Sequence, residues 1–376
     1  MKLTSLSCLS LGLSLGLALS FNAAADIQFS GFGTLSAGLL TDSDTEVRNY
    51  TDSEVDFKTG SFFALQAYAD LNDGLSATAQ IRARGVDDWD PEFTWAYLSY
   101  QVQDDWRVQV GRQRIPMYLY SDYLDVSYAY HWIAPPTEVY QSPFDSIDGI
   151  STIHDFYVGD AMINFRLYYG QENTTRADGA TFDIDKVISA VASVNYGNWT
   201  FRTTYLHFDW NADLGVEPLV AGWQQTPFGY VGDDIAISND SVDGYEFGVI
   251  YDNQDWLFVA EYIPTKLDNT IVGELEPWMV SVGKRFGSVM LHGTFGHNNS
   301  TPDVDLSAVP QLEQLAALRG ATEAVIASRD LDAPFYTIGT RWDFHDSAAF
   351  KAEYTNSEQA DGSNAGLFQV ALVTVF

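Results

Sequence analysis

The stretch AMINFRLYYG, residues 161–170, alternates strictly between two kinds of side chain. Its odd-numbered positions are all apolar or aromatic: Ala161, Ile163, Phe165, Leu167 and Tyr169. The even-numbered positions between them include the polar Asn164 and the cationic Arg166. A period of two is typical of a β-strand with one face in apolar surroundings and the other in polar surroundings. The stretch therefore predicts a strand with charge on one face.

The same alternation recurs along the whole chain. It is found in LSATAQIRAR (75–84), WTFRTTY (199–205), DGYEFGVIYD (243–252), DWLFVAEYI (255–263) and FYTIGTRWDF (335–344). In each stretch the apolar face often begins or ends with Trp, Tyr or Phe. Aromatic residues at both ends of an apolar band are a feature of membrane barrels, where they lie at the two interfaces.

The connections between these stretches alternate between two lengths. Short polar turns of hairpin type lie at 72–74, 159–160, 197–198 and 287–288, whereas connections such as 40–60, 113–146, 211–241 and 298–331 are much longer. This rhythm predicts an all-β, transmembrane antiparallel β-barrel of about sixteen strands, with short periplasmic turns, long extracellular loops and both termini at the short-turn end. A secreted sandwich or propeller is the alternative, and it lacks this alternation of lengths.

Composition limits the function. The chain has 376 residues, a formal net charge of −32 and 14% aromatic residues. Nucleic-acid surfaces need clustered basic charge, so no nucleic-acid partner is expected. Residues 1–25 have the basic start, apolar core and small-residue end of a secretory signal peptide, which leaves 26–376 as a single barrel domain. The one cysteine, Cys8, lies in that segment, so no disulfide framework is predicted.

Two local features depart from the strand pattern. The connection 298–331 contains Pro310 followed by helically spaced leucines, which predicts a short helix that caps the loops. The segment MYLYSDYLDVSYAYHW, residues 117–132, is rich in tyrosine. Its rings could line a path for sugars, but packing against the barrel wall is the favoured interpretation.

An enzyme is the rival hypothesis from another class. A barrel hydrolase needs a serine, a histidine and an orienting group on its outer face, and His207 is the best histidine for that role. No G-x-S-x-G motif accompanies it, and the chain has neither H-E-x-x-H nor a cysteine cluster. We therefore expect no enzyme, no metal site and no cofactor, with His207 in the aromatic belt.

At this level the chain resembles the Gram-negative outer-membrane general diffusion porins, which are sixteen-stranded and trimeric. The signal peptide, the loop rhythm, the final strand GLFQVALVTVF (366–376) and AYLSYQVQDDWRVQVGRQRIP (96–116) before a long third loop carry the resemblance. It implies that the third loop folds into the barrel, where acidic loop residues face a basic wall. The loop carries the acidic residues Asp122, Asp125, Glu138 and Asp145.

The period of two places seven arginines on the inner wall. These pore-lining candidates are Arg82, Arg84, Arg107, Arg166, Arg202, Arg285 and Arg341. Arginine on the lipid face would cost roughly 2–4 kcal/mol at mid-membrane, which favours the inward assignment. Arg112 is ambiguous, because Gly111 could mark a bulge that reverses its direction.

The predicted function is passive diffusion of ions and small hydrophilic solutes through a water-filled channel, with a preference for cations because of the acidic excess. Two alternatives remain: a substrate-specific channel for a sugar or an anion, and a non-conducting surface or adhesion barrel. The expected location is the outer membrane of a Gram-negative bacterium. The expected partners are two further copies in a homotrimer, outer-membrane lipid, lipopolysaccharide and the outer-membrane assembly machinery, which in the family reads a terminal aromatic such as Phe376.

Overall fold

In a computed structural model of the chain, the structure describes residues 26–41, 45–51, 53–142, 144–175, 181–268 and 270–376. The signal peptide predicted over 1–25 lies outside the described residues. The alternating stretches all form strands. They are β1 (Ile27–Leu40), β2 (Phe62–Asp70), β3 (Leu75–Arg84), β4 (Pro91–Gln103), β5 (Trp106–Arg114), β6 (Ser146–Val158), β7 (Ala161–Thr175), β8 (Thr181–Tyr196), β9 (Trp199–Ala212), β10 (Ile237–Asp252), β11 (Trp256–Tyr262), β12 (Thr265–Lys266), β13 (Glu274–Leu275), β14 (Trp278–Phe286), β15 (Val289–Thr301), β16 (Leu331–His345), β17 (Ala348–Glu358) and β18 (Asn364–Val375).

These strands close into one antiparallel barrel. β11 and β12 both pair with β10, and β13 and β14 both pair with β15, so each couple is one interrupted strand. Counted in this way, the described residues form sixteen strands. β1 pairs with β18 from Phe32–Val375 to Leu40–Leu367, which joins the first strand to the last. The predicted all-β barrel of about sixteen strands is confirmed.

The two faces of each strand differ as the alternation predicts. On β7, Leu167 and Tyr169 point outward and are exposed, whereas Tyr168 points inward and is buried. On β9, Phe201 is exposed on the outside while Arg202 is buried on the inside. The barrel therefore has an apolar exterior and an interior that carries charge.

Connections at the two ends of the barrel differ in length. At one end the hairpins are tight, and Gly74, Gly159, Gly197 and Gly287 adopt the positive φ angles that such turns require. At the other end lie the first loop (residues 41–61), the third loop (115–145), the fifth loop (213–236) and the seventh loop (302–330).

Three α-helices lie in the long loops. The predicted helix of the seventh loop is confirmed as α3 (Ala316–Arg329), whereas α1 (Glu217–Gln224) and α2 (Gly229–Ile235) of the fifth loop were not predicted. Trp223, Val231 and Leu315 join the three helices in a small apolar core. Single turns of 3₁₀-helix occur at Gly85–Asp87, Ser121–Tyr123, Ser127–Ala129 and Glu313–Leu315. None of the described helices has the length and apolar composition needed to cross a membrane.

The C-terminal residue completes the closure. Phe376 N–H donates to the Gly31 carbonyl at 2.9 Å, and Gly31 N–H donates to the Phe376 carbonyl at 2.8 Å. The ring of Phe376 lies over Gly31, where an added Cβ would come within 2.3 Å of it. Any side chain at Gly31 therefore competes with the terminal ring for the same space.

We expect Gly31→Val to lower barrel stability by about 1 kcal/mol, the low end for overpacking, because the displaced Phe376 ring is largely exposed. Urea titration of the heat-modifiable band on SDS gels measures this change. Gly293→Val is the matched control, since a Cβ at Gly293 on β15 meets nothing within 4 Å. Equal unfolding midpoints for the two variants would contradict the proposed packing of the terminal ring.

Candidate functional site

The third loop leaves β5 and folds into the barrel, where it contacts the inner wall on all sides. Its hydrogen-bonding and ion-pairing partners on the wall are Thr34, Arg82, Arg114, Arg166, Arg202, Glu261, Ser281, Thr294, Arg341, Lys351 and Glu353. These residues come from strands between β1 and β17. The loop therefore crosses the lumen from one wall to the other, as the resemblance implied.

One group of charges holds the loop against β3 and β5. Arg82 Nη1 lies 2.6 Å from Asp125 Oδ1, and the second oxygen of Asp125 pairs with Arg114. Asp145 contacts both arginines, at 3.3 Å from Arg82 and 3.4 Å from Arg114. Burial alone would raise the pKa of Asp145, but Arg114 and Arg82 outweigh it and hold that pKa well below its usual range. The carboxylate is therefore ionised, and we call these four residues the central cluster.

A second group joins the loop to β7 and β9. Arg166 Nη1 lies 2.7 Å from Asp122, and Arg202 Nη1 lies 3.8 Å from the same carboxylate. Arg202 also donates to the Pro116 carbonyl at 2.9 Å. The loop is thus fixed to the wall at Asp122 as well as at Asp125.

The remaining predicted residues pair outside these two groups. Arg84 lies 2.6 Å from Asp87, Arg107 lies 3.9 Å from Asp155, Arg285 lies 2.7 Å from Asp252, and Arg341 lies 2.7 Å from Asp343. Glu138 does not face a predicted arginine and instead binds Arg48 of the first loop at 3.1 Å.

The resemblance implied acidic and basic walls that face each other across an opening, and the contacts differ from that expectation. Asp122, Asp125 and Asp145 touch their arginines directly. Charges that lose water on burial are stable only when they are paired, and the third loop covers this part of the wall. The arginines are therefore locally neutralised.

The aromatic residues of the third loop pack against the opposite wall. Tyr118, Tyr120, Tyr130 and Trp132 are buried in one cluster with Val259 and Met279 and other apolar residues of β11, β14, β15 and β16. The favoured interpretation of this segment as packing is confirmed. Tyr118, Tyr130 and Tyr140 also contribute to the lining of a cavity beside the loop.

Several charged residues that bind the third loop were not singled out by the sequence analysis, among them Arg48, Arg114, Glu261, Lys351 and Glu353. Lys351 is fully buried and donates to the carbonyls of Ser127, Tyr130 and Trp132 in the third loop. Glu261 accepts the N–H of Leu119 at 2.7 Å. Both lie on the polar parity of their strands, so alternation could have found them. Arg48 has no such signal, because it lies in a loop.

Two cavities among the described residues border the central cluster. The upper cavity, about 320 Å³, is bounded by the first loop, the third loop and Arg82 and Arg84 of β3. The lower cavity, about 230 Å³, is lined by Trp95, Arg107 and other residues of β4 to β7. Arg114 lines both. All four residues of the central cluster thus border the upper cavity, and Arg114 also borders the lower one.

Some charged residues lie on the outside of the barrel, close to its long-loop end. Arg112 is one of them, which resolves its ambiguous direction: it shares a face with the exposed Val110 and binds Glu172 at 2.8 Å. His207 Nδ1 lies 3.0 Å from Asp243, which also accepts the hydroxyl of Tyr205. In the part of the chain that the structure describes, no group of three or more His, Cys, Asp or Glu side chains is arranged to hold a metal ion.

A closed sixteen-stranded barrel with a long third loop inside it is the architecture of the outer-membrane porins. OmpF of Salmonella typhi, solved in complex with daunomycin, superposes with a TM-score of 0.62 at 10% identity, covering 94% of this chain and 98% of that one. The anion-selective porin of Comamonas acidovorans gives 0.59 at 14% identity, with 94% and 100% covered. OmpT of Vibrio cholerae, in a trimer form, gives 0.54 at 12% identity, with 94% and 100% covered.

No family model and no curated protein matches the sequence. The resemblance is therefore one of fold, and at these identities it does not extend to solutes or selectivity.

We expect Asp125→Asn to shift the channel toward anions, because it removes one negative charge between Arg82 and Arg114. A unit charge about 7 Å from a passing monovalent ion in water changes the local concentration of that ion by roughly threefold. Reversal potential under a salt gradient measures the shift. Asp88→Asn is the control, since Asp88 is exposed and pairs with Lys58, not with the central cluster. Equal reversal potentials in the two variants would mean that ions do not pass the central cluster.

We expect Lys351→Met to loosen the third loop, because the carbonyls of Ser127 and Trp132 would lose their donor, at a cost of about 1–3 kcal/mol each, whereas that of Tyr130 keeps Arg341. Chymotrypsin, which cleaves after tyrosine, should then cut the loop faster in folded barrels. Lys284→Met is the control, since Lys284 pairs with Asp255 and makes no contact with the loop. Cleavage at the wild-type rate would contradict the anchoring role of Lys351.

Proposed function

We propose that the protein is a passive diffusion channel for ions and small hydrophilic solutes in the outer membrane of a Gram-negative bacterium. The observation that carries the proposal is a closed barrel with apolar side chains outside, charged side chains inside, and two cavities that share Arg114 in their linings. Closure satisfies the strand backbone in lipid, and an inner wall of this polarity suits a water-filled path.

A preference for cations is the selectivity that we propose. The inner arginines would oppose it, but the central cluster and the Asp122 pairs neutralise them within the lumen. The formal charge of −32 then dominates the field at the mouths, which raises the local concentration of cations.

A substrate-specific channel for a sugar or an anion is the second candidate. It is favoured by the small size of the upper cavity and by Tyr118, Tyr130 and Tyr140 in its lining. Aromatic rings beside hydrogen-bonding groups suit a small solute with an apolar face, and few convergent polar groups are enough to orient it.

The partners that we propose follow from the outer surface. β1 to β4 carry small outward residues, including Gly33, Ala67, Ala79 and Ala96, which would allow close contact between copies in a homotrimer. The acidic long loops suit lipopolysaccharide phosphates bridged by divalent cations. Residues 1–25 would direct export, and Phe376 would be read by the outer-membrane assembly machinery. We propose no enzymatic role, and His207 serves in the interfacial belt with Tyr205.

Recording from planar bilayers tests the function. We expect purified wild-type protein to give stable conductance steps, in threes for a trimer, with a reversal potential on the cation side. Current that is blocked by a low concentration of one sugar or organic anion would instead support the substrate-specific candidate. A silent bilayer with correctly folded protein would overturn the channel proposal and favour a surface or adhesion barrel.

A further inference from the structure

The first loop forms a tight turn, Val47–Tyr50, that is buried against the inner face of β1. Val47 N–H donates to the Tyr50 carbonyl at 3.1 Å, and Tyr50 N–H donates back at 2.9 Å. The two central residues both have positive φ, 53° at Arg48 and 66° at Asn49. This is the pattern of a type I′ turn, which favours Gly and Asn at its centre. Arginine is an unfavourable choice there for the backbone, so its side chain must compensate elsewhere.

That side chain makes several contacts inside the barrel. Arg48 Nε donates to both carboxylate oxygens of Glu138 in the third loop, at 3.2 Å each. Its Nη2 donates to Thr337 Oγ1 on β16 at 3.3 Å, and its Nη1 lies 4.0 Å from Glu353 on β17. Only 5% of the side chain is exposed. The guanidinium thus links the first loop, the third loop and the wall.

The turn itself is held by contacts that do not involve Arg48. Val47 and Tyr50 pack with Leu40 of β1 and Leu367 of β18 in a small apolar core. The ring of Tyr50 lies over Gly38, where an added Cβ would come within 2.2 Å. The backbone of the turn should therefore persist when the guanidinium is removed.

The turn also forms part of the upper cavity. Arg48, Asn49 and Tyr50 line it on one side, and Tyr140 and Arg114 are among the lining residues of the third loop and of β5. Both loops thus border the space through which a solute reaches the central cluster.

We propose that the first and third loops together set the aperture of the channel, and that Arg48 is the positioning and specificity-determining residue that joins them. This inference rests on the proposed channel function. Arg48 holds the first loop against Glu138, which limits the size of solutes. It also supplies a positive charge beside two carboxylates, Glu138 of the third loop and Glu353 of β17.

Arg48→Gly removes the guanidinium but keeps the backbone of the turn, because glycine adopts a positive φ more readily than arginine does. We expect two changes: a larger exclusion limit for polyethylene glycols, and a two- to threefold rise, roughly, in relative cation permeability from the uncovered carboxylate. Lys58→Gln is the matched control, since it also removes a positive charge from the first loop, but Lys58 is exposed and pairs with Asp88, not with the third loop. It should leave both measurements at wild-type values.

Two further variants distinguish positioning from charge. Arg48→Lys keeps the charge but loses the planar fork, so the reversal potential should return toward wild type while the exclusion limit stays enlarged. Combining Arg48→Gly with Glu138→Gln should likewise restore the reversal potential without restoring the exclusion limit. Glu138→Gln alone breaks the same link from the third loop, so it tests the link even if Arg48→Gly folds poorly.

The results distinguish failure of the channel function from failure of the role of Arg48. Wild-type protein that does not conduct defeats the channel function itself. Wild-type protein that conducts, with Arg48→Gly and Glu138→Gln both unchanged in exclusion limit and reversal potential, overturns only the role of Arg48. The heat-modifiable band on SDS gels identifies the folded fraction of every variant before recording.

Discussion

Closure of the hydrogen-bonded sheet is the constraint on which the rest of the structure depends. β1 must pair with β18, because an unpaired strand edge in lipid would leave several backbone groups without partners. Sixteen strands then enclose a space too wide for their own side chains to fill. Alternation follows from the same closure, since each strand presents one face to the exterior and the other to that space. Loops that enter the barrel are what narrow it.

An irregular segment inside a barrel has backbone groups that it cannot satisfy by itself. The inward polar side chains of the wall supply the missing partners here. Glu261 and Glu353 accept the N–H groups of Leu119 and Ile133, and Lys351 and Arg341 donate to loop carbonyls. These wall residues therefore stabilise the backbone of the third loop, whether or not an ion is in the lumen. Their positions on strands make the path of the third loop reproducible.

The barrel could be predicted from the sequence because its signals are local: a period of two within a strand, and turn residues between neighbouring strands. The ion pairs in the lumen could not be predicted from the sequence, because they join residues far apart in the chain, such as Arg82 with Asp125 or Arg48 with Glu138. Parity correctly places Arg166 and Arg202 on the inner face but does not show that Asp122 touches them. Helices α1 and α2 were not predicted because they have only eight and seven residues. Such short helices show little periodicity in the sequence and depend on tertiary packing for their stability.

Apolar packing and charge have different roles in placing the third loop. The cluster around Tyr120 and Trp132 buries large side chains against β11, β14, β15 and β16, and such burial is the main source of stability. Buried ion pairs contribute little net stability, because desolvation offsets most of their attraction, but an unpaired member would be costly. Asp122, Asp125 and Glu138 therefore act chiefly to exclude other positions of the loop. Apolar contacts hold the loop inside the barrel, and the carboxylates determine which arginines it meets and where the path remains open.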